Sequence, residues 1–202
     1  MELTSRQKEI VGVSIALIAD HGIQNLTIKN IAAAIGVTEP AIYRHFENKF
    51  EIMNAVLDSF QKIALDVLDS EEVAGQDSLG RIERFISDRY RRCVENPKLA
   101  KLMFSEENFQ FDERLSRKVL KIMHSHKEKI HGIIVEGQNA CEIRRDVEPT
   151  SLFRIVFGAM RLLIKQWILS GFAFNLEEEG KKLWEAEHKM IKYCDCCTLC
   201  CK

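Results

Sequence analysis

Apolar residues recur every three or four positions along most of this chain, and no stretch alternates with a period of two. Ile10, Val13, Leu17 and Ile18 predict a first helix, opened by a Thr4/Gln7 capping box and ending at about His21. Ile31, Ala32 and Ile35 give a short second helix one small apolar face, with Thr27 as its N-cap. Gly36 supplies the backbone freedom of a tight turn. Thr38 is placed to cap a third helix, and Pro40 falls in its first turn, where a missing N–H costs little. Ile52, Val56, Phe60, Ile63 and Val67 predict a fourth helix from near Lys49, followed by a loop over 71–77. Leu79, Ile82, Phe85, Ile86 and Tyr90 carry the next helix from Ser78 to Asn96-Pro97. A short helix with Leu99, Leu102, Met103 and Phe104 precedes a long one from Asp112 to about Gly137. A polar connection over 141–148 leads to a helix from Pro149 to Gly171, and the last helix runs from Asn175 or Leu176 to near Tyr193. The expected fold class is all-α.

The second and third helices have the form of a helix-turn-helix. Ala41, Ile42 and Phe46 are expected to pack inward, leaving Tyr43, Arg44 and His45 facing outward. In such a unit the second helix enters the DNA major groove. With Thr27, Ile31-Ala32, Gly36-Val37-Thr38, Tyr43, His45-Phe46 and Lys49 in register, after a helix that closes at Gly22, the stretch resembles the TetR family of bacterial transcriptional regulators. Pro40 stands where that family often has glycine, and Phe50 where an acidic residue commonly follows the lysine. The resemblance implies a three-helix DNA-binding domain at 1–48 and a larger helical effector-binding and dimerisation domain at 49–193, with a cysteine-rich tail at 194–202. The function it implies is that of a cytoplasmic, homodimeric, ligand-responsive regulator. Such a protein would be a repressor that a small lipophilic effector releases from double-stranded operator DNA.

Charge constrains how such a module would hold DNA. The whole chain carries a formal net charge of −1, and through residue 50 Arg6, Lys8, Lys29, Arg44 and Lys49 balance Glu2, Glu9, Asp20, Glu39 and Glu47. Bulk attraction is therefore weak, and a few placed contacts and dimerisation must carry the binding. Thr27 is positioned for a phosphate through its hydroxyl and nearby N–H groups. Tyr43 and His45 should reach phosphate or sugar, and Lys49 a phosphate. Arg44 suits a bidentate contact to guanine. Glu39 either accepts from cytosine N4 or is an acid favoured by the helix N-terminus. Lys29 and Thr38 complete the expected DNA-binding set.

Two apolar stripes mark the last long helices. Leu152, Ile155, Val156, Ala159, Leu163 and Trp167 form one, and Leu183, Trp184, Met190 and Ile191 the other. Each reads as subunit core or as half of a four-helix dimer interface. The resemblance favours the interface, with Leu152, Ile155, Val156, Ala159, Leu163, Trp167, Leu183, Trp184 and Ile191 in it. It also implies an effector cavity among the middle helices. Phe85, Met103, Phe104, Phe109, Met123, Phe153, Phe157 and Met160 would be its adaptable apolar walls, with Phe111 nearby.

The hydrophobic content of 46% and charged content of 29% are those of a globular chain, with no apolar run of membrane-spanning length. Met1 to Arg6 do not begin a signal peptide, so the chain is expected in the cytosol with its seven cysteines reduced. Five of them, Cys194, Cys196, Cys197, Cys200 and Cys201, crowd the tail with C-x-x-C spacings. They are either incidental, ligands for a soft metal or iron–sulfur group, or a redox sensor. The last two readings support an alternative function, a thiol-rich metal-binding or redox-responsive protein. His124, Glu128 and His131 share a helix face, but neighbouring lysines make it a solvated one. No motif of catalysis or of an obligatory cofactor is present, so the chain is not expected to be an enzyme.

Overall fold

The computed structural model describes residues 3–65, 75–105, 109–110 and 112–193, excepting the side chains of 62–65. Phe111, Val67 and the whole tail from Cys194 lie outside the described residues, as does the Ile63 side chain. The helices are α1 (Ser5–His21), α2 (Ile28–Ile35), α3 (Glu39–Tyr43), α4 (Lys49–Leu65), α5 (Ser78–Glu95), α6 (Pro97–Met103), α7 (Glu113–Asn139), α8 (Pro149–Leu169) and α9 (Leu176–Ile191). Apart from one isolated antiparallel bridge between Ile143 and Lys192, every regular element among the described residues is helical. The chain divides into two compact units, residues 1–63 with 96–121 and residues 64–95 with 122–202. The module expected at 1–48 lies inside the first unit, which also takes in α6 and the start of α7.

In the first unit, α1 is opened by the expected capping box. The Gln7 N–H donates to the Thr4 hydroxyl at 3.3 Å, and the Thr4 N–H donates to Gln7 Oε1 at 3.0 Å. Its buried face is Ile10, Val11, Ser14, Ile18 and Ala19, with Val13 and Leu17 half-buried. The stripe is turned slightly from the expected one because Ser14 is admitted to it. The Ser14 hydroxyl donates to the Ile10 carbonyl at 2.7 Å, so burying it leaves no orphaned donor. The C-terminal end of α1 is clasped by α6. Lys98 pairs with Asp20 at 2.5 Å, and Lys101 donates to the Ala19 carbonyl at 2.6 Å. Farther along, Lys118 of α7 bonds Asn54 Oδ1 at 2.5 Å and Asp58 at 2.6 Å on α4. Arg114 lies over the Phe50 ring at 3.8 Å.

In the second unit, α5 packs on α9 so closely that only glycine fits at position 180. A Cβ there would stand 2.3 Å from the Tyr90 ring. The segment after α7 is not merely a polar connection. Ile143 is fully buried, and the Arg144 N–H donates to the Ile191 carbonyl at 2.9 Å while the Tyr193 N–H donates to that of Glu142 at 2.8 Å. Glu142 also accepts from the Ser78 N–H at 2.7 Å, tying the start of α5 to the same place.

The fold divides the residues of the expected dimer stripe between the protomer's own core and its surface. Leu152, Val156, Trp167, Trp184 and Ile191 are buried within their own chain, together with Met160 and Ile164. Leu163, Ala159 and Leu183 are half-buried. Ile155 remains exposed at 44%, and it is joined by Leu162 at 60% and Leu169 at 75%. Helix α8 is apolar on two sides, and periodicity alone does not say which side the core takes.

Candidate nucleic-acid interface and effector site

The turn between α2 and α3 is built by local chemistry. The Thr27 hydroxyl accepts the Asn30 N–H at 3.1 Å, capping α2. Gly36 is left-handed, with φ 77° and ψ 34°, and its N–H returns to the carbonyls of Ala32 and Ala33. The Val37 N–H also bonds the Ala32 carbonyl, at 3.0 Å, so the chain reverses within a few residues. Thr38 stands at the N-cap of α3 but makes no side-chain cap bond, contrary to expectation. Ile31, Ala32, Ile42 and Phe46 are buried, and the Gln7 side chain donates to the His45 carbonyl at 3.1 Å. These contacts hold α3 from behind.

What remains outward is a polar row. Thr27, Lys29, Thr38, Glu39, Tyr43, Arg44 and His45 are all exposed, the Tyr43 ring by 51%. Lys49 opens α4 half-buried, and that burial lowers its ammonium below the usual lysine range. The Thr27 oxygen accepts a backbone N–H, which leaves its own hydroxyl proton to donate to a phosphate. Asn48, which sequence reasoning missed, accepts the Glu51 N–H at 3.1 Å at the start of α4. Its signal was a plain one, an Asn three residues before a Glu at a helix start.

The residues expected around an effector fall in both units. Met103, Phe104 and Phe109 belong to the first, where Phe109 meets Phe60 edge-on at 6.4 Å. Phe85, Phe153, Phe157 and Met160 belong to the second. There the Phe157 ring stacks on Phe153 at 4.9 Å and on Phe85 at 6.0 Å. Met123 does not join them: it is an exposed residue of α7. Two polar groups that sequence reasoning passed over do join them. The Arg89 guanidinium lies 5.3 Å from the Phe85 ring centroid, and the His126 ring 6.4 Å from that of Phe157. Arg89 is 5% exposed and His126 8%. His126 Nε2 has no hydrogen-bond partner. Burial, then the charges of Arg89, Lys129 and Arg161, push the His126 imidazole down to about 4. Burial likewise lowers Arg89. The missed signal was position: Arg89 is four residues after Phe85, and His126 is four after Ile122, each on the apolar face of its helix.

Among the described residues no group of three or more His, Cys, Asp and Glu side chains could hold a metal ion. Of the described cysteines, Cys93 is buried and Cys141 exposed. The candidate ligands Cys194, Cys196, Cys197, Cys200 and Cys201 lie outside the described residues. No described helix is long and apolar enough to cross a membrane.

The same fold and module recur in known proteins. Residues 10–56 match the family model described as bacterial regulatory proteins, tetR family, and residues 51–190 match that of the YsiA-like protein, C-terminal region. A probable acrEF/envCD operon repressor of Escherichia coli is 23% identical over 189 residues, covering 90% of this chain and 84% of that protein. The fatty acid degradation regulator FadR from Bacillus halodurans superposes with a TM-score of 0.84 at 16% identity, over 93% of this chain and 97% of that one. FadR from Bacillus subtilis in complex with stearoyl-CoA gives a TM-score of 0.80 at 19% identity, over 89% and 96%. The two family models together cover residues 10–190, and the chain belongs to the tetR family of bacterial regulatory proteins, ligand-responsive, DNA-binding transcriptional regulators that act on operator DNA as dimers.

Proposed function

We propose that this chain is a cytoplasmic repressor, released from its operator by a lipophilic effector bound beside Phe85, Phe153, Phe157 and Met160. The observation that carries the DNA half is the division of the α2–turn–α3 unit. Its apolar residues are buried and its polar row Thr27, Lys29, Thr38, Glu39, Tyr43, Arg44 and His45 is exposed. Arg44 reads a guanine and Lys49 touches phosphate. The effector half is supported by the stacked rings of the second unit and by the stearoyl-CoA held by the Bacillus subtilis relative. Two protomers join through the exposed side of α8, at Ile155, Leu162 and Leu169. Effector binding shifts the dimer toward an arrangement whose recognition helices no longer match the operator spacing.

The test is to select bound genomic fragments with the purified protein, footprint the operator, and titrate it with variants and acyl compounds. Arg44→Ala should weaken operator binding by about 1–3 kcal/mol and relax one base per half-site. Lys49→Ala should weaken all DNA alike and reduce the salt slope by about one. Unchanged affinity and base preference for Arg44→Ala would remove Arg44 from base readout.

A further inference from the structure

The aromatic cluster of the second unit ends in basic groups, which a purely apolar ligand does not require. Arg89 and His126 are each more than nine-tenths buried, and both meet the rings that would line the site. Arg161 lies near enough to both to act on their charge, and Lys129 near enough to act on His126. Phe153, Phe157 and Arg161 stand at i, i+4 and i+8 on α8, and Phe85 and Arg89 at i and i+4 on α5. Each helix therefore runs from rings to a guanidinium along one face. Phe85 is fully buried, whereas Phe153 and Phe157 are only half-buried, so the rings keep accessible surface.

We propose that Arg89 and His126 form the head-group end of the effector site and that the effector is a carboxylic acid with an apolar tail. This rests on reading the ring cluster as the effector site. A guanidinium offers five N–H donors in a rigid fork, so it can keep protein acceptors and still hold a ligand carboxylate through two parallel bonds. The unpartnered His126 Nε2 supplies a further polar contact beside it, as donor or acceptor according to its tautomer. The Phe85, Phe153 and Phe157 rings take the tail. His126 is held neutral by its burial and by the neighbouring cations, so the charge that meets the ligand comes from Arg89, with Arg161 near enough to add to it. A carboxylate brings one negative charge out of water, whereas a phosphate monoester brings nearly two and costs more to bury. In a site of low dielectric this difference is felt strongly.

The experiment measures binding of dodecanoate, dodecyl phosphate, dodecanol and dodecanoyl-CoA to the full-length protein by calorimetry, with operator release as a second readout. The wild type should bind dodecanoate about tenfold or more tighter than dodecanol, and Arg89→Met should erase that ratio while dodecanol still binds. The head-group series on the wild type keeps the test valid even if the variant is unstable. Equal binding of acid and alcohol, or a preference for the phosphate or the thioester, overturns the carboxylate assignment and leaves the lipophilic site standing. Arg89→Met with its acid preference intact moves the head group elsewhere. If none of the four binds, the effector site itself is misplaced and the inference falls with it.

Discussion

At the scale of single residues, Glu187 is a carboxylate buried without a partner. It lies on α9, 3% exposed, and neither carboxylate oxygen has a hydrogen-bond donor. The Tyr90 hydroxyl, also unpartnered, belongs to the helix packed against it. Burial pushes the Glu187 carboxyl up to about 7. The folded protein then binds a proton that the unfolded chain, with an ordinary carboxyl, has released. The stability this contributes is complete below about pH 4.5 and is lost as pH rises through 7. Glu187→Gln keeps the shape and removes the titration. At pH 8 it should be more stable than the wild type by up to about 3 kcal/mol, with the gap closing toward pH 4.5. Urea unfolding at several pH values reads this directly, and parallel curves for the two proteins would show the carboxylate to be solvated. His126 has the opposite sign: its lowered imidazole favours the folded state above about pH 6.5, and that gain is lost as pH falls through 4. In the wild type the two slopes oppose each other, so the variant alone shows that of His126 and the difference between the two proteins shows that of Glu187.

At the scale of elements, what was legible in the sequence was what local chemistry decides. The Thr4/Gln7 box, the Thr27 cap and the left-handed Gly36 each act within four residues, and each appears where the spacing put it. Long-range packing was less legible. Gly180 reads as a mild weakness within a helix, yet it is where Tyr90 of α5 meets the backbone of α9. Arg89 and His126 went unread although each follows an apolar residue by four positions, because that spacing places a side chain on the buried face without saying what it meets there. Helix α8 carries apolar residues on two sides, and which side faces inward depends on α5 and α9 rather than on α8. Gly180→Ala tests the close approach. Helix propensity alone favours alanine by about 1 kcal/mol. The added methyl must displace a ring held in the core, and overpacking of this kind costs about 1–3 kcal/mol. The variant should be destabilised on balance, and Tyr90→Leu should restore tolerance of it. Denaturant midpoints of the two single variants and the double variant give the coupling.

At the scale of the whole molecule, operator binding depends on the dimer, because a recognition helix of five residues in a module without net charge holds DNA weakly. The exposed residues Ile155, Leu162 and Leu169 recur every seven positions on α8, with exposed Gly158 and half-buried Ala159 among them. A seven-residue repeat drifts only about 20° per step on a helix, so the three form one seam along which a second copy of α8 can lie. The small residues let the two backbones approach. In a two-fold interface the same patch meets itself, so each protomer contributes the same three side chains. Leu162→Glu places a carboxylate in this seam from both sides. Two like charges taken out of water without partners should cost the dimer several kcal/mol, on the order of 3–5 for an uncompensated buried charge. Sedimentation at micromolar concentration should then show monomers, and operator affinity should fall while nonspecific DNA binding per protomer persists. Circular dichroism separates this from misfolding: Leu162→Glu should keep its helical signal, whereas Val156→Glu, which buries the charge inside the protomer, should lose it. A Leu162→Glu protein that remains dimeric would move the interface off this face of α8, and would leave three large aliphatic side chains in water with no partner to account for them.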